Sequence, residues 1–272
     1  MVTFEGKTFA SWQEARASIV AKPEAAPVQA VAVMDAPPEA PPLTLDAAPV
    51  HKARSLVERY RPRKLAELAG QPAVVASLRA FVAKPYSRAW LLTGQSGIGK
   101  TAAAWALAGE LGCDLDEEEM GGVVTLPAGE QSAESVRACA DSMWLRPMMG
   151  SGWKVIIVNE VDGMSDKVEN IWLDVIGEGR LPGKCVIIFS TNFPEKLSDR
   201  FMDRCGVTLQ FNSTADDLTQ AAKALAERIW RAERPGIEPD AAALAAVVSA
   251  AIRRGHVSFR RVVNGMAELL GE

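Results

Sequence analysis

The residues best suited to chemistry form one glycine-rich segment near the middle of the chain. Its pattern is G-x-x-x-x-G-K-[ST], and it lies between an apolar run of strand length and a helical pattern. Glycines let backbone N–H groups surround phosphate oxygens, and the N-terminus of the following helix adds a favourable dipole. The lysine can neutralise the β- and γ-phosphates of a nucleotide, and the threonine hydroxyl can hold Mg²⁺. The predicted phosphate-binding residues, named here the phosphate loop, are Gly94, Gln95, Ser96, Gly97, Ile98, Gly99, Lys100 and Thr101.

A polar pair, Asn159 and Glu160, directly follows the apolar run 154–158. In nucleoside triphosphatases with a phosphate loop, the first residue of such a pair orients the Mg²⁺ shell and the second polarises the attacking water. An asparagine oxygen can accept from metal-bound water, but it lacks the charge that Mg²⁺ prefers. We therefore predict Thr101 and Asn159 as metal-site residues, Glu160 as the general base, and slow turnover because of Asn159. The alternative is a polar strand end that only caps a loop.

A third strand end contributes an uncharged amide, since Asn192 follows the apolar run 185–189. Such an amide beside the γ-phosphate can position the water and sense whether the phosphate is present. A Thr-Asn pair is also common in turns. Asn192 is therefore a candidate catalytic residue because of its neighbours rather than on its own.

The elements that must position these residues follow from the apolar pattern. Runs of strand length alternate with helical patterns, which is typical of a parallel sheet covered on both faces. After residue 211 the pattern is helical through 215–232, 240–253 and 258–270, with the apolar stretch 241–252 predicted as a buried helix. We predict an α/β core over residues 52–212, a five-stranded parallel sheet with flanking helices, and a small all-helical lid over residues 213–272. The five predicted strands are 89–93, 122–126, 154–158, 185–189 and 207–211.

The beginning of the chain has a different composition. Seven of the 16 prolines lie within residues 22–51, interleaved with alanine, which predicts an extended linker. Phe4, Phe9, Trp12 and Ile19 can line one face of a short element within residues 1–21. That segment is predicted as a peptide that docks, and a weakly ordered tail is the open alternative.

Composition excludes several classes of protein. The formal charge of -4 argues against a protein that wraps nucleic acid by net charge, so any DNA contact must come from a local patch. The four cysteines show no C-x-x-C pair, which argues against a zinc module and favours a reducing, cytoplasmic compartment. No segment resembles a membrane span, and we predict no membrane partner.

Taken together, ordered motifs over residues 52–272 resemble AAA+ ATPases of the clamp-loader group. Beside the motifs above, these are the segment 58–71 with its Arg-Tyr-Arg-Pro sequence, Asp203-Arg204-Cys205, and Ser258-Phe259-Arg260-Arg261. The group includes replication factor C small subunits, DNA polymerase III gamma-tau-like proteins and phage clamp-loader large subunits. The resemblance implies ATP as ligand, with Arg59, Tyr60 and Pro62 beside the adenine.

The resemblance also implies two arginine roles. Arg204 corresponds to the arginine finger that reaches the ATP of a neighbouring subunit, and Arg200 is a rival for this role. Arg260 corresponds to the arginine on the lid helix that touches the γ-phosphate, and Arg261 takes its place if the register shifts by one.

By the same resemblance, the expected partners are other AAA+ subunits, a DNA sliding clamp and primed DNA. Arg137 and Lys167 are candidate DNA contacts. The chain stops just after the lid, where the group generally continues into a helical collar, so we expect ATP, the N-terminal peptide or a partner to support assembly. Two alternatives stay open: an ATP-binding scaffold subunit with weak hydrolysis, and a helper ATPase in DNA remodelling or transposition.

Overall fold

A computed structural model describes residues 2–4, 7–9, 54–117, 120–177 and 179–271. The chain divides into two compact units, Met1–Val50 and His51–Glu272. In the first unit, β1 (Val2–Phe4) and β2 (Lys7–Phe9) pair antiparallel. The predicted linker, residues 22–51, lies outside the described residues. Trp12 and Ile19 of the predicted docking peptide also lie outside them.

A five-stranded parallel sheet forms the centre of the second unit. Its order is β4-β5-β6-β3-β7, and all four neighbouring pairs are parallel. The strands are β3 (Arg88–Gly94), β4 (Val123–Leu126), β5 (Lys154–Val158), β6 (Cys185–Thr191) and β7 (Thr208–Phe211). Every predicted strand is confirmed, with bounds that differ by at most two residues. Since β6 lies between β3 and β5, the Asn192 that follows it lies between the phosphate loop and Asn159.

The two faces of the sheet are both buried, which explains the near-continuous apolar runs. Along β5, Val155 and Ile157 belong to one core cluster, whereas Ile156 and Val158 belong to the other. This alternation is the period-two geometry of a strand. The first cluster also contains the helix after the phosphate loop and the lid helices.

Within the described ranges, six α-helices precede the lid, and serine side chains start several of them. Ser132 and Ser198, for example, each accept a hydrogen bond from the backbone N–H three residues later. The helices are α1 (Leu56–Arg59), α2 (Pro72–Ala83), α3 (Lys100–Glu110), α4 (Ala133–Ser142), α5 (Asp166–Val175) and α6 (Asp199–Cys205).

The lid contains three helices and a short hairpin. The helices are α7 (Ala215–Glu233), α8 (Ala241–Ala251) and α9 (Phe259–Leu270), and the hairpin pairs β8 (Ile252–Arg253) with β9 (His256–Val257). The helix predicted over 240–253 therefore ends earlier than expected. It is also only half buried, since Leu244, Val248 and Ala251 face the core at helical spacing while most of the alanines between them are exposed. Within the described ranges, no helix has both the length and the apolar character needed to cross a membrane.

All four cysteines are free and buried, and burial raises their pKa values to about 11 for Cys139 and about 12 for Cys113, Cys185 and Cys205. Because the thiolate is the reactive form, we expect less than about 10 % alkylation by iodoacetamide at pH 8 in one hour. Mass spectrometry of the intact protein measures this. Complete alkylation in urea is the control, and a stoichiometric reaction of any cysteine in the native protein would contradict the prediction.

Candidate functional site

The phosphate loop connects β3 to α3 and depends on its glycines. Gly94, Gly97 and Gly99 have φ angles of 145°, 79° and 108°, which other residues rarely adopt. A Cβ on Gly97 would also lie 2.2 Å from Ser258 Oγ, and Phe259 N donates to Gly97 O at 2.9 Å. The lid therefore contacts the tip of the phosphate loop directly.

Lys100 points into the loop rather than into solvent, and it is only 7 % exposed. Its Nζ donates to Gly94 O at 2.7 Å, to Gln95 O at 2.9 Å and to Asn192 Oδ1 at 2.7 Å. Its pKa is lowered to about 8, mainly by loss of solvation and also by Arg260, although Glu160 and Asp162 oppose the shift. The ammonium thus lies where a bound phosphate would replace the backbone carbonyls.

The lowered pKa of Lys100 predicts a pH dependence of nucleotide binding. Well below pH 8 most of the free protein carries a charged Lys100, so we expect the ATP affinity to fall by no more than about twofold between pH 7 and 8. Above pH 8 binding must first protonate the amine, and the affinity falls by up to about tenfold per pH unit. Calorimetric titration with ATP from pH 7 to 9.5 measures the effect. Lys100→Arg stays charged and should show no such decline, and a constant wild-type affinity up to pH 9.5 would refute the prediction.

Asn159 lies beside the first turn of α3. Its Oδ1 accepts from Thr101 Oγ1 at 2.8 Å and from Ser190 Oγ at 3.4 Å. These three groups offer oxygen atoms only, and the described residues contain no cluster of three or more acidic, histidine or cysteine side chains that could hold a metal by itself. Such a set fits Mg²⁺ that keeps several waters and shares the phosphates of a substrate.

Glu160 follows in an unusual backbone conformation, with φ 55° and ψ 54°. Its N–H donates to Ser190 Oγ at 3.4 Å, and its exposed side chain lines the same cavity as Lys100. A left-handed glutamate is uncommon, and such residues concentrate at functional sites. The conformation presents the carboxylate at the end of β5, on the wall of the cavity.

Sequence reasoning missed Asp162, which organises the neighbouring strand end. Its Oδ1 accepts from Thr191 Oγ1 at 2.7 Å and from the Asn192 backbone N–H at 3.2 Å. Asp162 therefore holds Asn192, whose side chain in turn accepts from Lys100. The available signal was a second carboxylate two residues after Glu160.

One cavity contains most of the predicted site residues and is named here the main cavity. It has a volume of about 380 Å³ and opens between the sheet and the lid. Its walls combine apolar side chains with nearly as many polar and charged ones, which suits a ligand that has both an apolar and a charged part. Of the predicted site residues, its walls contain Tyr60, Pro62, Ser96, Gly97, Ile98, Gly99, Lys100, Thr101, Asn159, Glu160, Asn192 and Arg260. Pro127, Ala128 and Arg228 line the cavity as well.

Two hydrogen bonds, named here the latch, join Arg59 and Tyr60 at the end of α1 to Glu233 in the last turn of α7. Tyr60 Oη donates to Glu233 Oε1 at 2.8 Å, and Arg59 Nη1 donates to Glu233 Oε2 at 3.2 Å. Burial and the Glu233 carboxylate raise the pKa of Tyr60 to about 12. Arg59 thus contacts the lid and does not line the cavity, although it was predicted beside the adenine.

Five further residues named in the sequence analysis lie outside the main cavity. Arg204 donates through Nη1 to Leu173 O at 2.8 Å and lines a separate pocket, and Arg200 is exposed on the same helix α6. Gly94 and Gln95 do not line the main cavity, but their carbonyl oxygens accept hydrogen bonds from Lys100 Nζ. Arg261 also faces away, so Arg260 is the member of this arginine pair that lines the main cavity.

Comparisons with known proteins agree with this geometry. Residues 90–213 match the family described as ATPase family associated with various cellular activities (AAA). A replication factor C small subunit from Methanococcus maripaludis is 27 % identical over 173 residues, which cover 63 % of this chain and 54 % of the relative. The corresponding protein of Methanothermobacter thermautotrophicus is 29 % identical over 153 residues, 56 % of this chain and 46 % of the relative. The chain thus spans about half the length of the curated relatives it matches.

Among solved structures, the Thermotoga maritima RuvB Holliday junction branch migration motor superimposes with a TM-score of 0.54 at 21 % identity. The match covers 75 % of this chain and 63 % of that chain, and at this identity it supports the fold alone.

Proposed function

We propose that this chain is an ATP-driven switch of the clamp-loader kind, because residues 90–213 match the AAA ATPase family and the chain is similar to replication factor C small subunits. ATP occupies the main cavity, and a neighbouring subunit completes the site for hydrolysis. The observation that carries the proposal is the convergence of Lys100, Glu160 and Asn192 on a cavity covered by the lid. Arg204 lies outside the cavity of its own chain, which supports a role at a neighbour's site.

In this mechanism each residue of the chain has a defined task. The amides of the phosphate loop bind the phosphates, and Lys100 exchanges the carbonyl groups of Gly94 and Gln95 for phosphate oxygens. Asn192, held by Asp162, positions the attacking water, and Glu160 accepts its proton. Arg260 of the lid contacts the γ-phosphate. Thr101 and Asn159 would hold Mg²⁺, which neutralises phosphate charge when bound.

The proposed client is a DNA sliding clamp on primed DNA, with other AAA+ subunits as partners. An exposed group of apolar side chains supports a protein client. Trp144 is 67 % and Met148 84 % exposed, and Leu145 and Met149 next to them are exposed as well. The exposed Met120 lies beside them, because its carbonyl oxygen accepts from the backbone N–H groups of Met148 and Met149. Arg137 and Lys167 are exposed on α4 and α5 and remain candidate DNA contacts. Retention of the protein on an immobilised sliding clamp, with ATP present, tests this client.

The central experiment measures ATP turnover per subunit over a range of protein concentrations, with Mg²⁺, in the presence and absence of primed DNA. We expect specific activity to rise with concentration, because the site needs a second subunit, and to rise again with DNA. Turnover that is independent of both concentration and DNA would refute the switch. Background turnover with tight ATP binding would instead favour a scaffold subunit.

The scaffold alternative rests on the neutral side chain of Asn159, and Asn159→Asp tests it. Aspartate has nearly the same shape and keeps an acceptor for Thr101 while adding a charge. Charged hydrogen-bond partners contribute about 1 kcal/mol more than neutral ones, so we expect roughly fivefold faster turnover and a lower Mg²⁺ requirement. Steady-state kinetics over a Mg²⁺ titration measures both. Asn159→Ala, which removes the acceptor for Thr101 without adding a charge, is the control and should not gain turnover, and unchanged turnover in Asn159→Asp would support the scaffold.

A further inference from the structure

A second cavity, of about 680 Å³, lies between the lid hairpin, the beginning of α9 and the phosphate loop. Its walls include Gln95 and Ser96 from the loop, and Arg253, Arg254, His256 and Arg261 from the lid. We name it the arginine pocket. It shares Gln95 and Ser96 with the phosphate loop, but it contains none of the side chains of the proposed hydrolytic mechanism, and Ser96 is the one wall residue that also lines the main cavity.

The charge of the arginine pocket is unbalanced. None of its lining residues is acidic, and within the described part of the chain the side chains of Arg253, Arg254 and Arg261 form no hydrogen bond or ion pair. Some exposed arginines elsewhere in the described residues, such as Arg63 and Arg180, pair with carboxylates, whereas others, such as Arg79, lie apart from one another. Three unpaired guanidinium groups around one concave surface therefore stand out in a chain with an overall charge of -4.

The backbone of the hairpin adds a second observation. Arg254 and Gly255 form its turn with φ angles of 52° and 78°. Glycine, asparagine or aspartate usually takes the first of these two positions, because a left-handed conformation is costly for other side chains. An arginine at this position places a long cationic side chain at the tip of the hairpin despite that cost.

We propose that the arginine pocket binds the phosphodiester backbone of nucleic acid. The planar guanidinium fork matches phosphate oxygens, and a duplex presents its charges at a density that several clustered arginines can use together. An acidic protein needs such a local patch, since its net charge opposes DNA. The inference deepens the DNA part of the proposed function and rests on it, and it assigns that contact to the lid rather than to Arg137 or Lys167.

The first test is fluorescence anisotropy of the full chain with a labelled primed-template duplex, saturating ATP and Mg²⁺, over a salt titration. For the double variant Arg253→Gln/Arg261→Gln we expect at least about tenfold weaker binding near 0.15 M salt. The slope of log K against log salt should fall by about 2, since each lost phosphate contact removes about 0.9. The matched control Arg79→Gln/Arg146→Gln removes two exposed arginines from α2 and the loop after α4, and it should change affinity by less than about twofold.

A second variant separates binding from folding. In Arg254→Gly the turn adopts its conformation without strain, so thermal stability should stay the same or rise while DNA binding weakens by at least about threefold. ATP affinity without DNA should match that of the wild type in both variants, because none of the three arginines lines the main cavity.

The outcomes distinguish this inference from the proposed function. Wild-type binding of DNA that both variants retain would overturn the inference and leave the function standing. Absence of DNA binding by the wild type would overturn both. A labelled glutamate-rich peptide tests a carboxylate partner: if the wild type binds it and the variants lose the peptide but keep DNA, the pocket serves an acidic protein and the inference fails. An equal loss of DNA binding in the matched control would also refute it.

Discussion

Replacement of Glu160 by glutamine is expected to lower ATP turnover by about 10²- to 10⁴-fold while ATP binding is retained. Glutamine keeps the size and the hydrogen-bonding oxygen of glutamate but cannot accept the proton of the attacking water. The backbone of Glu160, with φ 55°, directs this side chain into the cavity that contains Lys100. The loss therefore falls on kcat rather than on the dissociation constant of ATP.

Single-turnover kinetics together with equilibrium ATP binding measure this difference. Glu67→Gln is the matched control, because Glu67 is another carboxylate on the cavity wall, where it accepts from the Arg63 backbone N–H at 2.8 Å. A glutamine at position 67 can still accept that hydrogen bond, so we expect turnover within about threefold of the wild type. Equal losses in both variants would remove the special role of Glu160.

Replacement of Arg204 by alanine is expected to lower turnover by about 10³-fold or more, the range found for arginine fingers. ATP binding should persist, because Arg204 lies in a pocket apart from the nucleotide cavity of its own chain. The guanidinium is oriented by its hydrogen bond to Leu173 O at 2.8 Å. That contact leaves other N–H groups of Arg204 to reach a neighbouring subunit.

Mixing two inactive variants gives the sharpest version of this test. An Arg204→Ala subunit keeps a complete cavity, and a Glu160→Gln subunit keeps its Arg204. Mixed assemblies should therefore recover activity if the arginine acts between subunits. No recovery at any mixing ratio would contradict the interface role. If Arg200→Ala, rather than Arg204→Ala, abolishes turnover, the finger is Arg200.

The features that sequence predicted well are those that local pattern determines. The five strands are short, near-continuous apolar runs. The phosphate loop is marked by its own glycines between a strand and a helix. Even so, the hairpin before α9 was missed, because two-residue strands have no detectable period and Arg254-Gly255 is not a typical turn sequence.

The features that sequence could not predict join distant parts of the chain. Tyr60 and Glu233 are 173 residues apart, and their hydrogen bond depends on how the lid folds back over the α/β core. Asp116 was one of several acidic residues in a run, yet Arg63 and Arg54 both donate to it and hold its pKa well below its usual range. No local period distinguishes such a residue from its neighbours.

The latch between Tyr60 and Glu233 makes this protein its own reporter of lid motion. The chain contains only two tyrosines, Tyr60 and Tyr86. The Tyr60 hydroxyl donates to a carboxylate of α7, whereas the Tyr86 hydroxyl accepts from Arg88 at 2.6 Å. Uniform incorporation of fluorotyrosine would thus give two fluorine resonances in distinct surroundings. The Tyr60 resonance would shift if the lid moved away from the core and broke the hydrogen bond to Glu233, and the Tyr86 resonance would serve as the reference.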